Sequence, residues 1–304
     1  MKYYLWHIKF QKAENILFGF LQTQYDKKYK SDDEEKIRKK IFLESKHEID
    51  AHNQEYEKGL VSYSQGINKF SDMLYSELIA ALTGFTPDNL EGATFTATGD
   101  SIPESKNWTA DGAVTPVKDQ AKCGSCWAFS ATGALEGQEF LANGKLISLS
   151  EQFLVDCSKS NAGCYGGNME LAYKDIKKIG GIDSEEKYPY EATVSGYTFV
   201  NDTQKALTEA TAKKGPIAVA IQVLDSFFHY KTGIYYEPKC SENGEDDVHA
   251  VLVAGYGTDK TSGEDYYLVK NSWGADWGEN GYIRMARNRD HDCGITTYAL
   301  YPQV

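Results

Sequence analysis

Long hydrophobic runs are missing from this chain of 304 residues. No apolar stretch reaches the roughly 18 residues that a membrane-spanning helix needs, so we expect no membrane partner. Positive charge is also scarce, because 32 Lys and Arg residues stand against 44 Asp and Glu residues and leave a net charge of −12. Nucleic-acid binding relies on clustered Lys and Arg, so we expect no nucleic-acid partner either.

Cysteine is rare as well, with six residues in the chain. Cys123 and Cys126 form a CxxC pair in QAKCGSCWAFS, and the other four cysteines form no second such pair. A zinc site would need a second close pair or a compact His/Cys cluster, and a redox pair normally follows a strand in a βαβ unit. The pair therefore indicates a disulfide anchor or a nucleophile, and we expect no metal and no cofactor.

Residues 20–60 are highly charged and contain no proline. Ser31 and Glu34 have the spacing of a capping box at a helix start. Apolar and aromatic side chains then recur at spacings near 3.6, which predicts a long amphipathic helix, at Ile37, Ile41, Phe42, Ile49, His52 and Tyr56. A second helix is predicted near 75–83, followed by a linker-like stretch, GFTPDNLEGATFTATGDSIPES.

Beyond residue 102 the pattern predicts a helical half and then a strand half. Helices are expected over 125–140, 150–156 and 169–179, the last with Asn168 as its cap and Gly180 as its stop. The strand half contains four β-rich stretches separated by glycines, namely PIAVAI, HAVLVAGYG, DYYLVKNSWG and GYIRMAR.

A nucleophilic cysteine needs a base and a group that orients the base. Cys126 opens a predicted helix, whose N-terminus favours a thiolate. His249 begins a predicted strand, and Asn271 begins a turn on the next strand, where its amide oxygen could hold the imidazole. Trp273 could shield that contact from water, whereas His229, beside two aromatic residues, is interpreted as a packing residue.

Several motifs in order resemble the papain family of cysteine proteases: QAKCGSCWAFS, LSEQFLVDCS, GCYGG, DVHAVLVAGYG and VKNSWGADWGENGYIRM. The resemblance covers residues 102–304. It implies an α+β fold of two lobes, one helical and one β-barrel-like, and a cysteine endopeptidase acting on peptides and proteins. It also implies Cys126 as nucleophile, His249 as base, Asn271 as its orienting group and Gln120 as an oxyanion donor.

The N-terminal part resembles the prosegments of cathepsin L-type enzymes. The long-helix motif falls on Glu34, Arg38, Ile41, Phe42, Ile49 and Asn53, and the GxNxFxD motif falls on Gly66, Asn68, Phe70 and Asp72. Ser45 departs from the first motif, which has asparagine there. The resemblance implies a zymogen with an inhibitory prosegment over 1–101 and a peptidase domain over 102–304. The extended piece of the prosegment near 86–101 would then run through the cleft and block it. It further implies a monomer that is lysosomal or secreted, although the N-terminus does not read as a cleavable signal peptide.

The same resemblance implies the substrate-binding residues and the disulfides. Gly124, Gly166, Gly167 and Trp273 would line the cleft, and the pocket for the substrate residue two before the cut would be formed by Asn168, Met169, Ala220, Asp247, Ala250 and Tyr298. Tyr298 at the floor would make that pocket shallow, and Asp247 could favour a polar or basic side chain. The implied bridges are Cys123–Cys164 and Cys240–Cys293, and Cys157 is expected as a buried free thiol.

One departure concerns activity. After Tyr197 the chain lacks a segment of about fifteen residues that supplies a strand in the family. This leaves an alternative open, a non-catalytic paralogue that binds and inhibits other papain-family proteases. The retained residues at the site favour the enzyme.

Overall fold

Helices dominate the N-terminal part of the chain and strands the C-terminal part. The computed structural model describes residues 2–87, 92–186, 190–241 and 248–304. The helices, with a short 3₁₀ turn at Gly163–Tyr165 besides, are α1 Lys2–Gln24, α2 Asp32–Glu57, α3 Tyr75–Leu82, α4 Cys126–Asn143, α5 Glu151–Cys157, α6 Met169–Ile179, α7 Gln204–Lys214 and α8 Asp225–Phe228.

The strands are shorter and lie mostly beyond residue 180. They are β1 Tyr63–Gln65, β2 Thr94–Phe95, β3 Lys106–Asn107, β4 Ile182–Asp183, β5 Tyr190–Ala192, β6 Gly196–Val200, β7 Ile217–Gln222, β8 Tyr230–Tyr235, β9 Val248–Thr258, β10 Asp265–Lys270, β11 Tyr282–Ala286 and β12 Ala299–Gln303. The four β-rich stretches of the sequence correspond to β7, β9, β10 and β11, so these predictions are confirmed.

The helix boundaries follow from capping side chains. Ser31 Oγ accepts the Glu34 N–H at 3.2 Å, so α2 begins where the sequence indicates. The Glu34 carboxylate accepts the Lys30 N–H instead of that of Ser31, so only one half of the expected capping box forms. Asn168 Oδ1 accepts the Leu171 N–H at 2.8 Å, and α6 ends at Ile179, directly before Gly180, whose φ of 95° suits glycine.

One large sheet runs through the molecule in the order β1-β8-β11-β10-β9-β7-β12-β6-β2, with β3 paired to β9. Both ends of this path are strands from the N-terminal region, β1 paired with β8 and β2 paired with β6. The segment after Tyr197 is short, yet it forms β6, which pairs along β12. β6 also pairs with β2, so the sheet continues past this segment to the strand at its end.

Two apolar cores lie on either side of a cleft. The helical lobe buries α4 and α6 around residues such as Trp127, Leu135 and Tyr173. The strand lobe buries aromatic residues that include Phe227, Trp273 and Trp277. Because α4 packs against β9, the start of the helix and the start of the strand meet where the lobes join. In the described part of the chain, no helix is long and apolar enough to cross a membrane.

Candidate active site

Cys126 is the first residue of α4 and is fully buried. Burial raises the pKa of its thiol to about 11, although nearby backbone N–H groups of Ala250, Trp127 and Gly84 act in the opposite direction. The thiol is therefore neutral in this closed form. Without the Gly84 segment, the helix N-terminus and the N–H groups of Trp127 and Ala250 would remain to stabilise a thiolate.

His249 lies at the start of β9, in register with Ile221 of β7. Its Nε2 is 2.8 Å from Asn271 Oδ1, and that oxygen also accepts the Ser272 N–H at 2.8 Å. Because an amide oxygen can only accept, Nε2 carries the proton and Nδ1 keeps a lone pair. Nδ1 is buried and has no hydrogen-bond partner among the residues that the structure describes.

Burial also dominates the titration of this histidine. It lowers the pKa of His249 to about 4, against the opposing effects of Asn271 and the Leu82 carbonyl. The Trp273 ring stacks on the imidazole at a centroid distance of 4.7 Å and excludes water from the contact with Asn271. The imidazole is therefore neutral, oriented and ready to accept a proton at Nδ1.

Gln120 is fixed by Ser272. The Gln120 N–H donates to the Ser272 carbonyl at 2.8 Å, and the Ser272 hydroxyl donates to Gln120 Oε1 at 2.6 Å. The amide nitrogen Nε2 is thereby turned outward, where it donates to the carbonyl oxygens of Leu82 at 2.9 Å and Cys123 at 2.8 Å. A backbone carbonyl from the N-terminal region thus occupies the position at which Gln120 can bind an oxyanion.

The chain crosses the cleft at residues 82–86. The Gly167 N–H donates to the Gly84 carbonyl at 2.8 Å and the Thr86 N–H donates to the Gly167 carbonyl at 2.9 Å, so Phe85 and Gly167 form a parallel bridge. Gly84 must be glycine here, because a Cβ would lie 2.2 Å from the Gly124 carbonyl oxygen. The cleft is closed by this segment.

The sequence placed the crossing segment too late, at about 86–101. Residues 94–95 pair with β6 instead, and residues 98–100 bind the end of α7, where Glu209 accepts from the Thr98 and Gly99 N–H groups. Among the described residues of that stretch, Thr86 alone forms a hydrogen bond with Gly167. The crossing falls earlier because α3 ends at Leu82, directly beside Gln120.

Phe85 fills a pocket of the helical lobe. Its ring meets Tyr298 edge-on at a centroid distance of 4.7 Å. Four of the residues implied for the substrate pocket share one buried cluster with Phe85, namely Met169, Ala220, Ala250 and Tyr298. Asn168 joins them by donating to the Thr86 carbonyl at 3.2 Å, and Asp247 lies outside the described residues.

The remaining implied residues lie around this segment. Gly124 and Gly166 face it so closely that a Cβ would lie 2.9 Å from the Thr83 oxygen and 2.7 Å from the Gly84 oxygen, respectively. Trp273 lies on the opposite side, behind His249. Sequence reasoning missed Ser272, Leu82 and Phe85. The signal for Ser272 is its place directly after Asn271, whereas nothing in the sequence singles out Leu82 or Phe85.

Two disulfides support the site. Cys123–Cys164 ties the loop before α4 to the loop that carries Gly166, and Cys240–Cys293 closes a loop in the strand lobe. Cys157 is a free cysteine, but the expectation that it is buried was wrong. It ends the short helix α5, and its side chain faces solvent.

Two family models match the chain. The model described as papain family cysteine protease matches residues 102–303, and the cathepsin propeptide inhibitor domain (I29) matches residues 21–78. The chain belongs to the papain family of cysteine proteases. Its I29 domain is an intramolecular inhibitory prosegment, which makes this papain-family chain a zymogen.

Proteins with established names are similar to this chain over most of its length. A cathepsin L-like peptidase from Aedes aegypti is 46% identical, over 93% of this chain and 91% of that protein. Procathepsin L from Mus musculus is 46% identical, over 89% and 87%. The structure of digestive procathepsin L 3 from the larval midgut of Tenebrio molitor has a TM-score of 0.87 at 40% identity, over 96% of this chain and 99% of that one.

These similarities decide the class of the enzyme. The chain is a cathepsin L-like cysteine endopeptidase in zymogen form, with a papain-like α+β fold behind a helical prosegment. None of the comparisons favours the non-catalytic paralogue that the shortened segment after Tyr197 left open.

Proposed function

We propose that Cys126 is the nucleophile of this endopeptidase, His249 its base and Asn271 the group that orients the base. The observation that carries the assignment is the Leu82 carbonyl held by Gln120 Nε2 at 2.9 Å, in the same segment whose Gly84 N–H acts on the buried Cys126 thiol. A substrate carbonyl at the same position would lie against the nucleophile and have its developing charge stabilised.

The cycle follows from these positions. His249 Nδ1 takes the thiol proton, and Cys126 Sγ attacks the scissile carbonyl carbon. Gln120 Nε2 and the Cys126 backbone N–H stabilise the oxyanion, and the imidazolium then protonates the leaving amine as the C–N bond breaks. Water, deprotonated by His249, hydrolyses the thioester and restores the thiol.

We assign the pocket filled by Phe85 to the substrate residue two before the cut. Met169, Ala220, Ala250 and Tyr298 share its buried cluster. The sequence resemblance adds Asn168 and Asp247 to the residues of this pocket. Gly124, Gly166 and Gly167 would offer backbone groups to an extended substrate, and Trp273 would lie beyond the cut.

The direction of the prosegment explains why it inhibits. From this pocket a substrate runs toward its C-terminus to reach Cys126, whereas the prosegment runs from Phe85 back toward its N-terminus to reach Leu82 at Gln120. The peptide bond presented to Cys126 therefore has reversed polarity, and its leaving nitrogen lies away from the proton donor.

The remaining assignments rest on composition and disulfides. We propose a prosegment over 1–101 and a peptidase domain over 102–304, acting as a monomer without nucleic acid or membrane. The two disulfides support a lysosomal or secreted location, because reducing compartments disfavour such bonds.

The test is alkylation of the acid-processed enzyme by iodoacetamide at about pH 5, read by mass spectrometry. Exposed Cys157 serves as the internal reference, since an ordinary thiol is almost wholly protonated at that pH. We expect Cys126 to react at least about 100-fold faster than Cys157. His249→Ala should abolish the difference, and His291→Ala, an exposed histidine, should not. Equal rates at both cysteines would refute the assignment.

A further inference from the structure

The ammonium group of Lys69 lies against two carboxylates of the peptidase domain. Lys69 Nζ is 2.6 Å from Asp119 Oδ2 and 3.6 Å from Asp276 Oδ1. We propose that Asp119 and Asp276 form a subsite for a lysine or arginine of the substrate on the leaving-group side of the cut, which Lys69 occupies in the zymogen. The proposal rests on the placement of the scissile carbonyl at Gln120.

Space for a cationic side chain is built into the backbone between the carboxylates. Gly274 has a φ of 76° and no side chain. A Cβ there would lie 2.9 Å from Asp276 Oδ1, 3.0 Å from Asp119 Oδ2 and 3.3 Å from Lys69 Nζ. The three charged groups can therefore meet above Gly274 only because this residue has no side chain.

The enzyme's own loop holds the first carboxylate in place. The Ala121 N–H donates to Asp119 Oδ1 at 2.9 Å and leaves Oδ2 for the ammonium group. The Asp119 backbone forms a bridge with Trp273, and the Gly274 N–H donates to the Lys118 carbonyl at 3.0 Å. None of these contacts involves the prosegment, so the carboxylate keeps its position when the prosegment leaves.

The position along the cleft follows from the prosegment. Phe85 occupies the pocket on the acyl side, Leu82 marks Gln120, and the residues before Leu82 cover the far side of the cut. There the Phe70 ring meets Trp273 at a centroid distance of 5.4 Å. Leu82, Lys69 and Asp119 also line a single cavity of about 420 Å³, which connects Asp119 with the residue that marks the position of the scissile carbonyl.

The charge that remains after processing is negative. Lys27, Lys28, Lys69 and Asp26 line this cavity from the prosegment and depart with it, a net loss of two positive charges, whereas Lys122 stays. Asp119, with Asp276 beside it above Gly274, then stands against the single ammonium group of Lys122. Both carboxylates are partly exposed, so the preference they create is moderate and falls as salt shortens the Debye length.

The experiment uses acid-processed enzyme and internally quenched peptides that differ at one residue among the first three after the cut. That residue is lysine, norleucine or glutamate. At about 20 mM salt we expect kcat/KM for lysine to exceed that for glutamate by about tenfold at the preferred position. Asp119→Asn combined with Asp276→Asn should reduce the ratio to about two, and 0.5 M salt should reduce it in the wild type. Asp290→Asn, an exposed carboxylate elsewhere in the peptidase domain, should keep the ratio.

A lysine-to-glutamate ratio near one in the wild type, or an unchanged ratio in the double variant, would overturn the subsite. If no peptide of the library is cleaved, the assignment of the catalytic residues fails instead. Fluorescence polarisation with enzyme alkylated at Cys126 then decides the subsite by binding. The subsite predicts that the lysine peptide binds more tightly than the glutamate peptide and that the double variant loses this difference. Equal binding of the two peptides to the wild-type enzyme would refute the subsite.

Discussion

Truncation of Phe85 to alanine should open the zymogen. The side chain is 8% exposed and packs against Tyr298 in the pocket of the helical lobe. Phe-to-Ala changes in cores cost about 3–5 kcal/mol. We take about 3 kcal/mol, the lower end, because the vacated pocket fills with water when the prosegment leaves. At about 1.36 kcal/mol per tenfold, the population with an open cleft should rise by about 150-fold.

Alkylation of Cys126 in the intact zymogen reads this population directly. The thiol is fully buried when the cleft is closed, so labelling requires opening and its rate follows the open fraction. Iodoacetamide labelling at neutral pH, normalised to exposed Cys157, should therefore accelerate by about 150-fold in Phe85→Ala. A change below threefold would refute the view that this pocket anchors the prosegment.

The matched control removes the same atoms from the surface. Phe20 in α1 is 67% exposed, so Phe20→Ala should alter labelling by less than about twofold. A large acceleration in this variant would mean that α1 itself governs opening. The comparison separates loss of a pocket contact from general weakening of the helical prosegment.

Two further predictions concern pH and the disulfide. Because burial lowers the pKa of His249 from 6.5 to about 4, its contribution to closure is complete above pH 6.5 and is lost as pH falls toward 4, by about 3 kcal/mol. Amide hydrogen exchange of residues 82–87 in Cys126→Ala should accelerate over that range beyond the intrinsic rate, and an equal acceleration in His249→Gln would contradict this. Replacing Cys240 and Cys293 by serine frees a loop of 53 residues and should lower the free energy of unfolding by about 4 kcal/mol in urea titrations. Cys157→Ser should leave it unchanged.

Local signals in the sequence determined much of the fold. Ser31 and Asn168 cap helices through bonds to residues three positions on, and Gly180 ends α6 through its own φ. Each of these features depends on residues within one helical turn, so the sequence alone is enough to predict it. The order of the papain-like motifs likewise predicted the family, the zymogen character and the residues of the candidate site.

Contacts between distant residues were decided by the tertiary structure. The Leu82 carbonyl reaches Gln120 across 38 positions, and the choice of Phe85 as pocket anchor depends on where α3 stops. Lys69 meets Asp119 only because the prosegment packs on the wall beyond the cut. Cys157 ends α5 on the face that the rest of the lobe leaves uncovered, so it is exposed.

The difference between the features that the sequence determined and those that the tertiary structure decided has a physical reason. Caps, turns and helical periodicity are set by the covalent geometry of a few adjacent residues, and the sequence by itself determined them, together with the chemistry available at Cys126, His249 and Asn271. Which distant group fills a pocket, buries a thiol or neutralises a carboxylate depends on packing of whole lobes. For this protein, packing alone decided that Leu82 and Phe85 close the cleft and that Lys69 lies between two acids.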